Sequence, residues 1–298
     1  MKVLSRLAVS IVLGLSLGAS IVAAPATTSS QQKTTPKVSS NSTPAIKYSN
    51  KLINNKLNVK NIPCIEAYIN SGIPKPLVIV LTGISGTKEG SADIINNLAK
   101  EGFYAVAFDA RAHGERVKDP VARATELEVA TSQDCNIIIE NYLKNKQVNP
   151  KKIGMMGFSF GGSVTYHYLA YGKYPLTAAV PCISTPYWEQ LYDSGIPRST
   201  YSIAKGWGTS DLPQTEINKY LKDNSPFNNY KHMKDTAILM INGELDDVIA
   251  PVGAQKLYDE LKKIKAPHVE LIINKGLKHE VPEESLQKGI EFLKKHLS

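Results

Sequence analysis

Runs of β-branched and aliphatic residues alternate with amphipathic stretches along most of this chain, and that alternation restricts its possible folds more than any other feature. "PLVIVLTG" (76–83) is apolar at consecutive positions, as a strand covered on both faces must be. A helical stretch follows, with Ile94, Ile95, Leu98 and Ala99 on one side. The pattern then repeats through "FYAVAFDA", a helix over about Glu126 to Asn145, "KIGMMGF", a helix after Ser159, and "LTAAVPCI". After about fifty irregular residues come "AILMING", a helix over 252–264, "HVELIIN", and a last helix carrying Leu286, Ile290, Leu293 and Leu297. Alternating strands and helices predict an α/β fold: a mostly parallel central sheet with helices on both faces. The earlier "KLNVKNIPCIEAYIN" reads as an antiparallel hairpin at its edge.

Within that frame, "GMMGFSFGGSVTYH" (154–167) sets Ser159 among Gly157, Gly161 and Gly162 where a strand becomes a helix. Glycine inside a helix costs about 0.5–1 kcal/mol against alanine, so several together need a reason. A sharp strand-to-helix turn supplies one. Its central residue is strained, and small neighbours keep the turn from colliding with itself, as in the G-x-S-x-G nucleophile elbow. A flexible glycine-rich turn with an incidental serine is the competing reading.

Reactive residues of an open parallel sheet lie beyond the carboxyl ends of its strands. Three pass that filter together: Ser159 after "KIGMMGF", Asp246 in "NGELDD" after "AILMING", and His279 in "KGLKHE" after "HVELIIN". Serine needs a base to become a nucleophile, histidine titrates near neutrality, and a carboxylate must hold the imidazole in one tautomer. Ser159 would attack, His279 would carry the proton and Asp246 would orient His279. Asp247 competes with Asp246, which has the G-x-x-D spacing from Gly243. Among rival histidines, His113 suits a structural hydrogen bond and His167 lies inside a helix. His232 precedes its strand, His268 opens one, and His296 is near the C-terminus. Glu244 and Glu280 read as solvated. The oxyanion donors expected are the backbone N–H groups of Phe160, directly after the nucleophile, and of Ile84 in "LTGISG".

From about residue 46 onward, "DARAHGER", "GFSFGG" and "NGELDD" resemble the α/β-hydrolase superfamily, in its dienelactone-hydrolase-like and prolyl-oligopeptidase-like serine esterase branches. The dienelactone hydrolases themselves carry a cysteine where this chain has Ser159, and the histidine often found before the oxyanion glycine is Thr82 here. The resemblance implies an α/β-hydrolase fold and hydrolysis of small esters. A peptidase of prolyl-oligopeptidase-like type is the enzymatic alternative, and the chain is short for that family's additional propeller domain. A non-catalytic, envelope-associated binding protein on the same fold is the other alternative.

Residues 184–232 are too long for an ordinary connection and predict a cap inserted over the site. Trp188, Trp207, Tyr187, Tyr192, Tyr201 and Tyr220 gather there, and Trp188 is the candidate wall of a substrate pocket. No metal-ligand cluster or phosphate loop is evident, so neither metal nor cofactor is expected.

The first 26 residues read as a signal peptide: Lys2 and Arg6, the apolar "LAVSIVLGLSLGASIV", then small residues allowing cleavage after Ala24 or Ala26. An uncleaved membrane anchor is the alternative. In 27–44 ten of eighteen residues are Ser or Thr, too polar to offset ordering entropy, so 27–45 reads as a disordered linker. The expected location is secreted or associated with the cell envelope, without stable membrane insertion once the signal is cleaved. The net charge of +8 does not indicate a nucleic-acid partner, because Lys2, Arg6, Lys33 and Lys37 precede residue 46 and no dense basic run follows. Cys64, Cys135 and Cys182 form no metal spacing and no even disulfide set.

Overall fold

A computed structural model describes residues 51–118, 124–191 and 213–298. The expected signal peptide (1–26) and linker (27–45) lie outside the described residues, as do Tyr192, Tyr201 and Trp207.

The expected hairpin forms first. Strands β1 (Leu52–Val59) and β2 (Ile62–Ile69) pair antiparallel, from Leu52 opposite Ile69 to Val59 opposite Ile62. The linking residues Lys60 and Asn61 both have positive φ, 48° and 69°, which a two-residue type I′ turn demands. From there the chain runs β3 (Lys75–Leu81), α1 (Ala92–Lys100), β4 (Tyr104–Phe108), α2 (Ala124–Tyr142), β5 (Val148–Phe158), α3 (Phe160–Tyr171) and β6 (Ala178–Cys182). It continues through α4 (Gln214–Asn224), β7 (Ala237–Gly243), α5 (Val252–Lys263), β8 (Val269–Asn274) and α6 (Glu283–Leu297). Helix α2 stops three residues short of the expected Asn145. There the Asn145 side chain accepts the Gln147 N–H at 2.9 Å and turns the chain into β5.

One sheet of eight strands, ordered β1-β2-β4-β3-β5-β6-β7-β8, results. β2 meets β4 antiparallel, and β4 through β8 are all parallel neighbours. Side chains alternate across each strand, and that divides the core. Leu77, Ile79 and Leu81 of β3 pack with α2, α3 and α5, whereas Val78 and Val80 pack with α1 and α6. A strand buried this way cannot show a polar face, which is why its sequence is continuously apolar. Cys135, Ile139 and Tyr142 form the inward stripe of α2. All three cysteines are buried free thiols, and burial pushes the Cys64 thiol up to about 12.

The stretch after β6 is more regular than its sequence suggests. Short 3₁₀ segments, Trp188–Leu191 and Pro226–Met233, flank α4. Phe227 N–H bonds to Pro186 O at 2.9 Å, and Asn229 Nδ2 donates to Ala170 O of α3 at 2.7 Å. These bonds, rather than local propensity, hold the described part of this region along α3.

Candidate active site

Ser159 occupies the single residue between β5 and α3, with φ 51° and ψ −114°. A non-glycine residue held there is strained, so the surroundings must fix it. Its N–H donates to Cys182 O at 2.9 Å, and its C=O accepts the Ser163 N–H at 3.0 Å. The glycines have separate jobs. A side chain on Gly157 would strike the Gly161 carbonyl, and one on Gly161 would strike the Leu81 and Thr82 carbonyls. The second contact is how the start of α3 comes against the end of β3.

The acid and base arrive on neighbouring strands. Gly243 at the end of β7 abuts the Leu277 and Lys278 carbonyls, a close approach that a Cβ would block. Leu245 N–H donates to Leu277 O at 2.8 Å, pinning the two loops together. His279 Nδ1 then lies 2.8 Å from Asp246 Oδ2, and His279 Nε2 lies 2.9 Å from Ser159 Oγ. With Nδ1–H donating to the carboxylate, the Nε2 lone pair faces the serine hydroxyl. The other carboxylate oxygen, Asp246 Oδ1, accepts the N–H groups of Val248 and Ile249 at 2.9 and 2.8 Å. The Asp246 side chain has no exposure, while that of Asp247 is 52% exposed and pairs with Lys278 at 3.4 Å. Geometry thus separates two aspartates that spacing left open.

The rival histidines are engaged elsewhere. His113 Nδ1 lies 2.6 Å from Arg111 O, and its ring sits 5.0 Å from that of Phe160. His167 is buried beside Tyr171 and Trp188, and burial lowers its pKa to about 4. His268 and His296 face each other, ring centres 4.9 Å apart.

Of the two expected oxyanion donors, Phe160 directly follows the serine and Ile84 follows β3. Phe160 is the first residue of α3, where an amide has no intrahelical acceptor. Ile84 lies in a turn closed by Gly86 N–H to Gly83 O at 3.0 Å, with Ser85 at φ 61°. A turn of this shape bonds its first and last residues and does not use the Ile84 amide.

A buried clasp beneath that turn escaped the sequence reading. Asp109, at the end of β4, has no exposure. It accepts the Lys88 N–H and the Lys88 ammonium, each at 2.9 Å, and the Glu115 N–H at 3.0 Å. Gly114 leaves room for this carboxylate, because a Cβ there would collide with it. Burial alone would lower the Lys88 pKa, but the Glu115 and Asp109 carboxylates outweigh it and hold the ammonium above its usual value. Arg116 extends the network, bonding Asp109 O at 3.1 Å and Asp134 Oδ2 at 2.7 Å. The charge density of "DARAHGER" was the available signal. It belongs to a clasp joining the loops after β3 and β4.

Trp188 differs from expectation. Its side chain is fully buried, its Nε1–H donates to Ser163 Oγ at 2.9 Å, and its ring stacks on His167 at 5.7 Å. Leu221 of α4 and Val129 of α2 complete its surroundings. An indole enclosed this way is core between the stretch after β6 and α3, not a wall open to substrate. Glu128 of α2 is buried in the same region, and burial pushes its carboxyl up to about 8, with Ser163 pulling weakly the other way.

A parallel sheet wound in this order, with a serine on a strained strand-to-helix turn within reach of a histidine, defines a serine hydrolase of α/β-hydrolase fold. The prolyl oligopeptidase family model matches residues 92–298, and the chain belongs to that family. It is similar to YitV, a candidate esterase of Bacillus subtilis (strain 168), at 23% identity over 237 residues, covering 74% of this chain and 89% of YitV. Two solved structures share the fold. The Pyrococcus furiosus esterase Pf2001 matches with TM-score 0.60 and 24% identity over 88% of this chain and 99% of its own. TT1662 of Thermus thermophilus matches with TM-score 0.66 and 18% identity over 83% and 99%.

Proposed function

We propose that this protein is an exported serine carboxylesterase that cleaves small esters through an acyl-enzyme. The observation that carries the reading is the pair of contacts at His279, 2.9 Å to Ser159 Oγ and 2.8 Å to Asp246. As Ser159 Oγ attacks the ester carbonyl, Nε2 accepts its proton, and Asp246 stabilises the imidazolium that forms. The Ile84 and Phe160 amides receive the charge that develops on the carbonyl oxygen; each such donor contributes about 2.7–4 kcal/mol in comparable sites. His279 then returns the proton to the departing alkoxide, and water repeats the cycle on the acyl-enzyme. An esterase rather than a peptidase is favoured by the esterase description of YitV. The family description keeps peptide hydrolysis as the second reading.

Export rests on the sequence of the first 26 residues. Among the described residues no helix is long and apolar enough to cross a membrane. A series of p-nitrophenyl esters of increasing acyl length, run beside aminoacyl p-nitroanilides, tests the chemistry. Rapid turnover of anilides with slow turnover of esters would replace the esterase reading by the peptidase one.

A further inference from the structure

The parallel strands give the molecule two ends of unlike charge. The end that carries Ser159, Asp246 and His279 is acidic: Asp93, Glu126 and Glu283 lie in the first turns of α1, α2 and α6, and Glu244 and Asp247 follow β7. The opposite end is lined with lysines. Lys75 opens β3, and Lys151 and Lys152 precede the point where Ile153 of β5 pairs with Leu77. Lys173 follows α3, while Lys234 and Lys265 lie in the turns before β7 and β8. Lysines that end helices, such as Lys100 and Lys294, complement the helix dipole and need no other reason. Lys75, Lys151 and Lys152, on strand starts, have no such reason. Among the described residues, Lys151, Lys152, Lys234 and Lys265 form no ion pair.

The chain joins the fold at this same end. Ala67 of β2 lies opposite Ala105 near the start of β4, and Ile69, further along, pairs with Leu52. The chain therefore enters the described fold, at Lys51, beside the lysines. Ile73, 70% exposed, stands in one groove with Lys75, Lys152, Lys294 and Glu101, the last two paired at 2.7 Å.

We propose that the lysine-lined end docks on an anionic phospholipid surface, its lysines meeting headgroup phosphates, and that the catalytic end faces away from the membrane. On the uncleaved-anchor alternative, with the apolar segment 7–22 kept in the bilayer, the chain between it and Lys51 holds this face at millimolar effective concentration near the membrane; once the signal is cleaved, the lysines alone dock it. Attraction between lysines and anionic lipids acts within about 10 Å, and the acidic end is repelled, so one orientation is selected. The proposal takes the side of the membrane from the export reading and nothing from the esterase reading.

The test uses the full chain with a fluorophore on a cysteine introduced by Pro175→Cys, at the lysine-lined end, or by Glu283→Cys, at the catalytic end. The native cysteines are buried and leave the label specific. On vesicles of phosphatidylglycerol and phosphatidylcholine carrying a headgroup quencher, the label at 175 should be quenched far more than that at 283. The difference should vanish on pure phosphatidylcholine and in about 0.5 M salt, where the screening length is about 4 Å. Combining Lys151→Glu, Lys152→Glu and Lys265→Glu should reduce the excess by at least about tenfold, with ester hydrolysis unchanged. Equal quenching of the two labels would overturn the proposal. So would an excess that persists on phosphatidylcholine or in the lysine variant, or displacement by soluble polyphosphate as effective as by anionic vesicles.

Discussion

His279 Nε2 stands 2.9 Å from Ser159 Oγ although 120 residues of chain separate them. If this contact is the proton path, Ser159→Ala removes the nucleophile and leaves the fold, since alanine is smaller and the strained turn is held by backbone bonds at Cys182 and Ser163. Turnover of p-nitrophenyl acetate should fall by about 10⁴-fold, as losing one triad member commonly does. A variant that keeps a hundredth of wild-type turnover with an unchanged melting temperature would remove Ser159 from the mechanism.

The two neighbouring aspartates should separate cleanly. Asp246→Asn keeps the shape but turns the carboxylate that receives Nδ1–H into an amide, which favours the wrong tautomer and should lower kcat by about 10⁴-fold. Asp247→Asn alters an exposed group paired at 3.4 Å with Lys278 and should change kcat less than about twofold. Steady-state kinetics of both variants on one ester decides it.

Trp188→Ala should act on stability and spare specificity. Emptying a buried indole site costs about 3–5 kcal/mol, and Ser163 Oγ also loses its donor. Denaturant unfolding should register that loss, while the ratio of kcat/KM between short and long acyl esters stays as in wild type. A shifted acyl profile with unchanged stability would return Trp188 to the pocket.

Asp109→Ala should damage stability and catalysis together. Lys88 would keep its buried ammonium without its buried partner, held only by the partly exposed Glu115 and Glu89, and the melting temperature should fall. The loop after β3, which bears Ile84, would lose the Lys88 bonds that tie it to the loop after β4. Replacing both partners, Asp109→Leu with Lys88→Met, should recover much of the melting temperature but not kcat, because the backbone bonds to the carboxylate stay broken. Full recovery of kcat in that double variant would show that the clasp does not position the oxyanion donors.

Two buried groups should give the stability curve opposite slopes. Glu128 titrates near 8 in the folded chain, so between about 4.5 and 8 the unfolded state has released a proton that the native state keeps. Stability then falls by up to about 1.4 kcal/mol per pH unit as pH rises through that window. His167, lowered to about 4, does the reverse. Between about 4 and 6.5 only the unfolded state binds its proton, and stability rises with pH by a similar amount. Their contributions cancel between about 4.5 and 6.5. Unfolding in urea at several pH values should therefore show that Glu128→Gln removes a decline between 6.5 and 8 and uncovers a rise below 6.5. A wild-type minus variant difference independent of pH would mean that Glu128 is ionised in the folded protein.

Local chemistry wrote much of this protein into its sequence. Strands buried on both faces must be continuously apolar, so "PLVIVLTG" and "AILMING" identify themselves as β3 and β7. Gly157 announces the turn at Ser159, because the collision it avoids, with the Gly161 carbonyl, lies within a few residues of it, whereas Gly161 makes room for the distant Leu81 and Thr82 carbonyls. Strand order in a parallel sheet then places Ser159, Asp246 and His279 at one end. What sequence left open depends on neighbours distant along the chain. Asp246 and Asp247 are the same residue type one position apart, and only the loop carrying His279 makes one of them buried and bonded. Trp188 looked like a pocket wall until α2, α3 and α4 closed around it. Nothing along the chain marks Lys88 and Glu128 as buried, since helix and loop periodicity cannot tell which polar position a neighbouring element will cover. The separation of charge between the two ends is likewise invisible along the chain. Acids and lysines alternate in sequence, and they part only when every parallel strand points the same way.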